Sequence, residues 1–338
     1  MELTALGTYC DITSAKRIYA EEYVEDGIPF YRGKEIIEKS KDQDISEPLF
    51  ISEERFEQLA NKFGAPKPGD ILLTSVGTLG VPYVVQDSDR FYFKDGNLTW
   101  LRNFSDKLNA RYLYYWLTSD FGKQPLLARA IGSSQGAITI EILRKYKIYV
   151  PDRNRQDKIV EVLSTYDNQI KINNKRIKFL DQTAEEIYKE WFVRFRFPGY
   201  EDAEFENGIP KGWEFKKIDE MYNTTSGGTP SRSHDNYYAD GTIPWVKTGE
   251  LLNNFVIKTE EHITEEGLKN SSAKMIKPFS LLCSMYAGVG KLGINVLPIT
   301  CSQATCVFTP KKDISIWYLF YWLLENKGYL GLFINKCG

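Results

Sequence analysis

Histidine and paired cysteines are scarce in this chain. Its 338 residues include only two histidines, His234 and His262. No Cys-x-x-Cys pair occurs among the five cysteines, which are Cys10, Cys283, Cys301, Cys306 and Cys337. Structural zinc sites are built from these residue types at short spacings, so we expect no metal site. The odd number of cysteines and a start without a charged, apolar leader indicate a reducing cytoplasm.

Long hydrophobic runs and an excess of one charge are missing as well. No stretch reaches the ~18 consecutive apolar residues that a membrane-spanning helix needs, so we expect no contact with a membrane. Lys and Arg number 43 against 45 Asp and Glu, which excludes a strong global basic field. A local basic face within this balanced total stays open.

Catalytic motifs are also missing. Residues 288–291 (Gly-Val-Gly-Lys) share part of a phosphate-binding loop, but Met285 and Leu292 stand where that motif requires Gly and Ser or Thr. The chain has no Asn-Pro-Pro-Tyr-like tetrapeptide of a methyltransferase. Carboxylate neighbours such as Glu260 and Glu261 lie in charged segments and are expected to be solvated. The sequence therefore predicts no catalytic residue and no directly bound cofactor.

An internal repeat of domain size is what the chain does contain. Residues 112–117 (Tyr-Leu-Tyr-Tyr-Trp-Leu) return 206 positions later as residues 318–323 (Tyr-Leu-Phe-Tyr-Trp-Leu). A period of this length exceeds a solenoid unit and predicts two copies of one globular domain. Three further matches follow in the same order: residues 28–30 with 243–245, residues 67–72 with 277–282, and Gly77-x-x-Gly80 with Gly290-x-x-Gly293.

A heptad pattern between the copies predicts one long helix. Asp152 is expected to cap a helix whose body starts near Asp157 and which continues, without Gly or Pro, towards Pro198. A helix of about 36 residues would be ~54 Å long. Its apolar stripe requires a partner helix, with Asn173 as a polar register position; the alternative is a helix packed on its own domain. The seam consists of Ile159, Leu163, Tyr166, Ile170, Asn173, Ile177, Leu180, Ala184, Ile187 and Trp191.

These patterns divide the chain into three parts. Residues 1–150 form the first copy, residues 151–197 the central coiled-coil helix, and residues 198–338 the second copy. On the 206-residue offset Gly132 corresponds to Gly338, whereas the first copy continues into a closing strand and the long helix. We therefore expect the second copy to be incomplete, to lack a distal helix and to have either an unpaired sheet edge or exposed apolar surface.

The arrangement resembles the specificity subunit of type I restriction–modification enzymes over essentially the whole chain. Residues 148–170, in which a strand ending in Pro runs into the helix, are similar to the family's central conserved region, although Arg155 stands where the family often has Glu. Three of the repeated segments are similar to its target-recognition domains, namely residues 28–30, 67–72 and 112–117. The resemblance implies an α+β fold, with two homologous recognition domains of mixed, β-rich sheets and helices joined by a long coiled-coil helix.

The resemblance also implies a function and partners. Each recognition domain would read one half of a split site in double-stranded DNA without catalysis. Methylation subunits would supply S-adenosylmethionine, and a restriction subunit would supply the ATP- and Mg-dependent motor, so this chain would bind no cofactor directly. The helix could also pair with that of a second copy. The alternatives are a truncated decoy that binds methylation subunits without DNA specificity, and an enzyme with an undetected pocket.

Candidate DNA contacts follow from the repeat. Phosphates are bound by Lys and Arg, and bases are read by side chains that reach the grooves. We expect such side chains on turns after strands, at equivalent places in the two copies; for each the alternative is an ordinary polar loop residue. The candidates are Arg32, Lys34, Ser75, Thr78, Lys94 and Asn97 in the first copy, and Lys247, Thr248, Tyr286, Lys291, Ser302 and Gln303 in the second.

Overall fold

The chain folds into two compact units, Met1–Ile177 and Lys178–Gly338. A computed structural model describes residues 3–131, 136–286, 288–311 and 314–328. Each unit combines short strands with helices, which confirms the predicted α+β class. The predicted boundaries at residues 150 and 197 stay a prediction, and the correspondence of Gly132 with Gly338 lies outside the described residues.

The first unit consists of short strands and helices that alternate. Its strands are β1 (Leu3–Ala5), β2 (Asp11–Thr13), β3 (Tyr23–Val24), β4 (Ile28–Tyr31), β5 (Phe50–Ile51), β6 (Ile71–Thr74), β7 (Pro82–Val84), β8 (Tyr92–Phe93), β9 (Leu98–Arg102) and β10 (Lys147–Tyr149). Its helices are α1 (Gly33–Ser40), α2 (Glu53–Phe63), α3 (Ala110–Thr118), α4 (Asp120–Ile131), α5 (Ile140–Lys145) and the first part of α6 (Arg153–Tyr188).

Strand β6 lies at the centre of the first unit and is buried on both faces. The antiparallel sheet has the order β2-β9-β6-β7, while a second sheet, β3-β5-β4-β8, contains the parallel pair β4 and β8. Because side chains alternate along a strand, Ile71 and Leu73 pack into the cluster that includes α3, and Leu72 packs with Phe93 and Trp100. The predicted closing strand is β10, which pairs with β1.

The second unit repeats much of this arrangement. Its strands are β11 (Phe205–Glu206), β12 (Ile209–Pro210), β13 (Tyr222–Ser226), β14 (Ile243–Val246), β15 (Asn254–Val256), β16 (Glu261–Ile263), β17 (Leu281–Ser284), β18 (Leu292–Asn295), β19 (Thr300–Cys301) and β20 (Thr305–Pro310). Its helices are α7 (Ile218–Met221), α8 (Glu265–Lys269) and α9 (Ile316–Glu325).

The strand order confirms the predicted repeat. The order β13-β20-β17-β18 in the second unit matches β2-β9-β6-β7 in the first, and β16-β14-β19 matches β5-β4-β8. In both of these sets the middle strand, β4 or β14, pairs antiparallel with one neighbour and parallel with the other. Ser52 after β5 and Thr264 after β16 each cap the following helix through the side-chain oxygen.

The sequence analysis paired Gly77 with Gly290 and Gly80 with Gly293. The structure shows that this pairing is shifted by three residues. Gly80 and Gly290 each donate their amide to the last residue of the preceding strand, over 2.8 and 3.0 Å. Their φ angles, +73° and +78°, lie in the left-handed region that glycine adopts freely. Gly80 therefore corresponds to Gly290, while Gly293 lies inside β18.

The turn before β6 and β17 shows how the copies have diverged. Gly69, after a proline, has a φ angle of +88°. The equivalent position holds Phe279, whose φ angle is +59° and whose side chain is 55% exposed. A residue with a Cβ atom adopts this conformation only at a cost. The backbone path of the turn is therefore kept although its glycine is not.

The long helix α6 differs from its prediction at both ends. It begins at Arg153 rather than near Asp157, because Asp152 stands directly before it and accepts a hydrogen bond from Arg155 N at 3.0 Å. After Tyr188 the chain continues as a π turn, Lys189–Val193. A π turn widens the helix, so Trp191 does not keep the heptad register that the spacing predicted. Among the described residues, no helix is both long and apolar enough to span a membrane.

Candidate nucleic-acid interface

Polar side chains gather in each copy where two parallel strands end. In the first copy Lys94 N donates to the carbonyl of the last residue of β4 at 2.9 Å, which places Lys94 beside Arg32. In the second copy Ser302 N donates to the last residue of β14 at 2.9 Å, which places Ser302 beside Lys247. The structure therefore brings these four predicted residues to equivalent strand ends. We call the end of β4 and β8 the first edge, and the end of β14 and β19 the second edge.

Arg32 is held in place by a buried carboxylate. Its backbone N donates to Glu35 Oε2 at 2.7 Å and its Nε donates to Glu35 Oε1 at 3.1 Å, while the Glu35 side chain is fully buried. The hydrogen bond donated to Glu35 raises the pKa of Arg32. Glu47 lies 3.8 Å from Arg32 Nη2 and 3.1 Å from Lys34 Nζ. The guanidinium therefore has a fixed direction, as a bidentate donor requires.

Lys247 has the same backbone contact and different side-chain partners. Its N donates to Glu250 Oε2 at 2.7 Å, as Arg32 does to Glu35. Its Nζ donates to Glu260 at 2.9 Å and to Glu261 at 3.0 Å, and these bonds raise the pKa of Lys247. Glu261 also pairs with Arg232 at 2.7 Å. Glu260 is exposed, as expected, whereas Glu261 is half-buried, and both fix the Lys247 ammonium at the second edge.

Ser75 does not reach the surface. Its side chain is 3% exposed, and its Oγ lies 2.6 Å from Thr99 Oγ1. Its amide donates to Asn97 O at 2.8 Å, which extends the pairing of β6 beyond its last residue. The prediction that Ser75 contacts DNA is therefore wrong, since its hydroxyl is used inside the sheet. Thr78, in the β6–β7 hairpin, is exposed, and Asn97 is half-buried beside the hairpin.

Four further candidates lie in the second copy. Tyr286 follows β17 and is 62% exposed. The Lys291 side chain, just before β18, lies against the backbone of Gly288. Gln303 is exposed after β19, and Thr248 opens a short 3-10 turn after Lys247.

Lys34 departs from the predicted pattern, because it lies inside α1 rather than on a turn. It is nonetheless exposed and close to Arg32 in the chain. Apart from Ser75, the assignment of these residues to DNA stays a prediction.

A basic cleft in the first unit was missed by the sequence analysis. Lys16 and Arg17 approach one face of α2, on which Arg55 and Lys62 lie. The spacing of seven residues between Arg55 and Lys62 puts both on the same side of a helix and is the available sequence signal. The segment between β2 and β3, which carries Lys16 and Arg17, cannot be assigned to that face from spacing alone.

The apolar seam of α6 is exposed over most of its length. Ile159 packs against the core of the first copy, where the helix begins. The π turn carries Trp191, and Ala184 is half-buried. Asn173 Oδ1 accepts a hydrogen bond from Gln169 Nε2 at 3.0 Å. The other seam residues are exposed, namely Leu163, Tyr166, Ile170, Ile177, Leu180 and Ile187. This surface matches the prediction of a stripe that a partner helix covers, and the pairing itself stays a prediction.

In the first unit α3 holds the start of α6. Tyr115 Oη donates to Asp167 Oδ2 at 2.7 Å. The fully buried Gln156 accepts a hydrogen bond from Asn109 N, the cap of α3, at 2.8 Å. Asn109 Nδ2 in turn donates to Asp157 Oδ1 at 2.7 Å. The first aromatic segment of the repeat therefore anchors the helix as well as the core.

In the second unit α9 contacts the end of α6. The Tyr321 ring stacks on the Tyr188 ring with centroids 5.9 Å apart, and Tyr318 packs edge-on against Phe192 at 5.0 Å. Tyr188 is only 6% exposed as a result. Tyr321 occupies the place in the repeat that Tyr115 has in the first copy, so both aromatic segments contact the long helix.

No metal centre is present within the described ranges, because they contain no group of three or more His, Cys, Asp or Glu side chains placed to bind an ion. The features that the structure does assemble are two equivalent polar edges, a basic cleft and an exposed apolar seam.

Comparisons with known proteins agree with this geometry. The family model for the type I restriction modification DNA specificity domain matches residues 1–182 and 210–332. The MjaIX specificity subunit of Methanocaldococcus jannaschii is 29% identical over 238 residues, which cover 68% of this chain and 53% of that protein. The HindI specificity subunit of Haemophilus influenzae is 21% identical over 320 residues, which cover 76% of this chain and 69% of that protein.

The fold is similar to that of a solved structure. The S subunit of a type I restriction–modification system from M. genitalium has a TM-score of 0.59 at 14% identity. The match covers 99% of this chain and 79% of that subunit. The chain thus shares its fold over nearly its whole length, while it spans only about half of the length of the M. jannaschii relative.

Proposed function

Because the chain belongs to the family of type I restriction modification DNA specificity domains, we propose that it is the DNA-recognition subunit of a type I restriction–modification complex. In this role each copy reads one half of a split site in double-stranded DNA. The chain positions partner subunits and supplies no catalytic group itself. Such a role on cellular DNA assigns it to the cytoplasm.

The equivalent edges carry this proposal. A cation follows β4 and β14 in both copies, and in both its amide is bonded to a glutamate three residues later. The neighbouring side chains differ, since Lys94 in the first copy is replaced by Ser302 in the second. A shared backbone with different donors suits a site whose two halves have different base sequences.

The exposed seam of α6 supports the proposed partners. Apolar side chains at heptad spacing are covered when another helix packs on them. Methylation subunits are the partners that we assign to this surface, with a second copy of the chain as the other candidate. S-adenosylmethionine, ATP and Mg²⁺ would then enter the complex with the methylation and restriction subunits, and this chain would bind none of them.

Methylation mapping tests the proposal directly. Cells that express the methylation subunits are sequenced for N6-methyladenine with and without this chain. We expect a split motif that is present only with the chain. Unchanged methylation, combined with co-purification of the chain and the methylation subunits, would contradict the proposal and support the decoy alternative.

A further inference from the structure

We infer that the basic cleft of the first unit binds phosphates of the DNA backbone and that Lys16 and Lys62 are its two free cations. The inference rests on the proposed function and adds a binding site to it. The cleft has a volume of about 630 Å³. It is formed by the segment between β2 and β3 and by one face of α2, chiefly through Lys16, Arg17, Tyr19, Arg55, Lys62 and Phe63.

Only two of the four cations in the cleft are neutralised. Arg17 Nε lies 2.9 Å from Asp95 Oδ2, and Arg55 Nε lies 2.7 Å from Glu22 Oε1. Within the part of the chain that the structure describes, no carboxylate lies in ion-pair distance of Lys16 or Lys62. The cleft therefore has an excess of positive charge although the chain as a whole is slightly acidic.

The aromatic ring in the cleft favours a phosphate over a base. Lys16 Nζ lies 4.7 Å and Lys62 Nζ 5.4 Å from the centroid of the Phe63 ring. These are cation–π distances, so the ring holds both ammonium groups in the cleft. Because the ring is already in contact with two cations, stacking of a base on it is disfavoured. Anionic oxygens, which bind ammonium groups directly, are the ligand that this chemistry suits.

The cleft adjoins the first edge. Asp95, which pairs with Arg17, follows Lys94 in the chain, and Lys16 N donates to Tyr92 Oη at 3.2 Å. Tyr92 lies in β8, and Lys94 directly follows that strand. A duplex whose bases are read at the first edge therefore has backbone phosphates near the cleft, which favours DNA over a free small anion.

The second copy has a different helix at the equivalent place. Helix α8 has 5 residues where α2 has 11, although the first turn of each helix carries two glutamates. The last turns of α2, which carry Lys62, have no equivalent in α8, and Gly267 holds the position in the first turn that Arg55 has in α2. The phosphate contacts that we infer therefore belong to the first copy.

Salt dependence of DNA binding tests the inference. The full chain, purified with its methylation subunits, is titrated into a fluorescent 40-base-pair duplex of random sequence between 50 and 200 mM KCl. Each phosphate contact contributes about 0.9 to the slope of log affinity against log salt, so we expect K16Q/K62Q to lower that slope by about 1.8. The ratio of the DNA affinity of the unaltered chain to that of K16Q/K62Q should therefore fall about twelvefold between 50 and 200 mM KCl. We expect K16R/K62R to retain the original slope.

A charge-matched control is K145Q/K147Q, because both lysines are exposed in the same unit and do not line the cleft. We expect this control to leave the slope unchanged. If K16Q/K62Q behaves like the control while the unaltered complex binds DNA, the cleft inference is overturned and the proposed function stands. Binding of inorganic pyrophosphate in the cleft together with an unchanged duplex slope would also overturn it. If the unaltered complex binds no duplex, both proposals fail.

Discussion

At the scale of single residues, equivalent cations are fixed in different ways. Arg32 bonds through backbone and guanidinium to the buried Glu35, whereas Lys247 bonds through its ammonium to Glu260 and Glu261. A guanidinium has five donors in a planar fork and keeps some of them after pairing, while an ammonium has only three. Arg32 is therefore the better placed of the two to read a base edge.

We predict that Arg32→Lys weakens binding to the methylated motif, once that motif is known. Lysine keeps the charge beside Glu35 and loses the planar fork, so the expected loss is about 1–3 kcal/mol. Fluorescence titration of the complex with a duplex that contains the motif measures it. Ser75→Ala is the control, because its hydroxyl faces Thr99 inside the sheet. Equal affinities of Arg32→Lys and the unaltered chain would show that Arg32 acts only as a charge or lies outside the interface.

Sequence alone indicated Arg32 and Lys247 because each follows a repeated Ile-Pro-aromatic strand. It misplaced Ser75, because the end of β6 gives no sign that pairing continues through Asn97. It missed Lys16 and Lys62, which are 46 positions apart. Their approach depends on how the segment after β2 folds onto α2, and local patterns contain no information on such a contact.

At the scale of elements, the contacts of helices α3 and α9 explain why their sequences are similar. Each packs its apolar face on a sheet and presents tyrosines to α6, through Tyr115 in the first unit and Tyr318 and Tyr321 in the second. Two sets of contacts limit substitution more than one does. This double role accounts for the close similarity of residues 112–117 and 318–323.

Gln156 at the start of α6 is predicted to be important for stability. Its amide accepts from Asn109 N at 2.8 Å and donates to Lys107 O at 2.8 Å and Pro151 O at 2.7 Å, and it is fully buried. Gln156→Ala leaves these groups without partners, so the free energy of unfolding should fall by about 2–4 kcal/mol. Urea denaturation measures the loss. Gln169→Ala, in the exposed part of α6, should cost less than about 0.5 kcal/mol; equal losses would contradict the assigned role.

Charges on the seam are predicted to abolish docking without unfolding the chain. Ile170 and Ile177 are 58% and 49% exposed, so replacing both by Glu removes little buried surface from the chain itself. Each isoleucine contributes about 1.5–3 kcal/mol when a partner covers it, so association should weaken at least about a hundredfold. Analytical ultracentrifugation with the methylation subunits measures this. Lys175→Glu, off the seam, is the control, and equal effects of both variants would argue against the seam.

The heptad spacing correctly predicted a long helix, and it missed both ends for local reasons. The cap predicted at Asp152 is confirmed and makes Arg153 the first helical residue, whereas the start of the helix body was placed near Asp157 because the apolar pattern begins there. A π turn follows Tyr188, and the rings of Tyr188 and of Phe192 in that turn both pack with α9. Periodicity cannot reveal this change, because it is decided by the aromatic side chains of another element.

At the scale of the whole molecule, the chain combines two copies of one strand order with different surface chemistry. The balanced net charge of −2 conceals a local excess of cations in the cleft, where Arg17 and Arg55 are paired with carboxylates and Lys16 and Lys62 are not. Composition therefore excluded a strongly basic protein correctly and could not exclude a basic cleft.

Exchange of one copy is predicted to alter one half of the target. We expect a chimera that takes residues 1–150 from a family member of known specificity to methylate a motif with a new first half and an unchanged second half. The separation of the halves should stay the same, because α6 is retained. Methylation mapping in cells with the matching methylation subunits measures this. A motif altered in both halves would contradict independent reading by the two copies.

The difference in length between α2 and α8 makes the two copies unequal in their contacts with the DNA backbone. If backbone contacts are stronger in the first copy, the two ends of the bound duplex are not interchangeable. Even a target with two identical half-sites would then be bound in one preferred orientation. Methylation subunits would then bind a duplex whose orientation is already fixed. The DNA strand that is methylated first would therefore depend on α2, a helix of eleven residues outside the first edge.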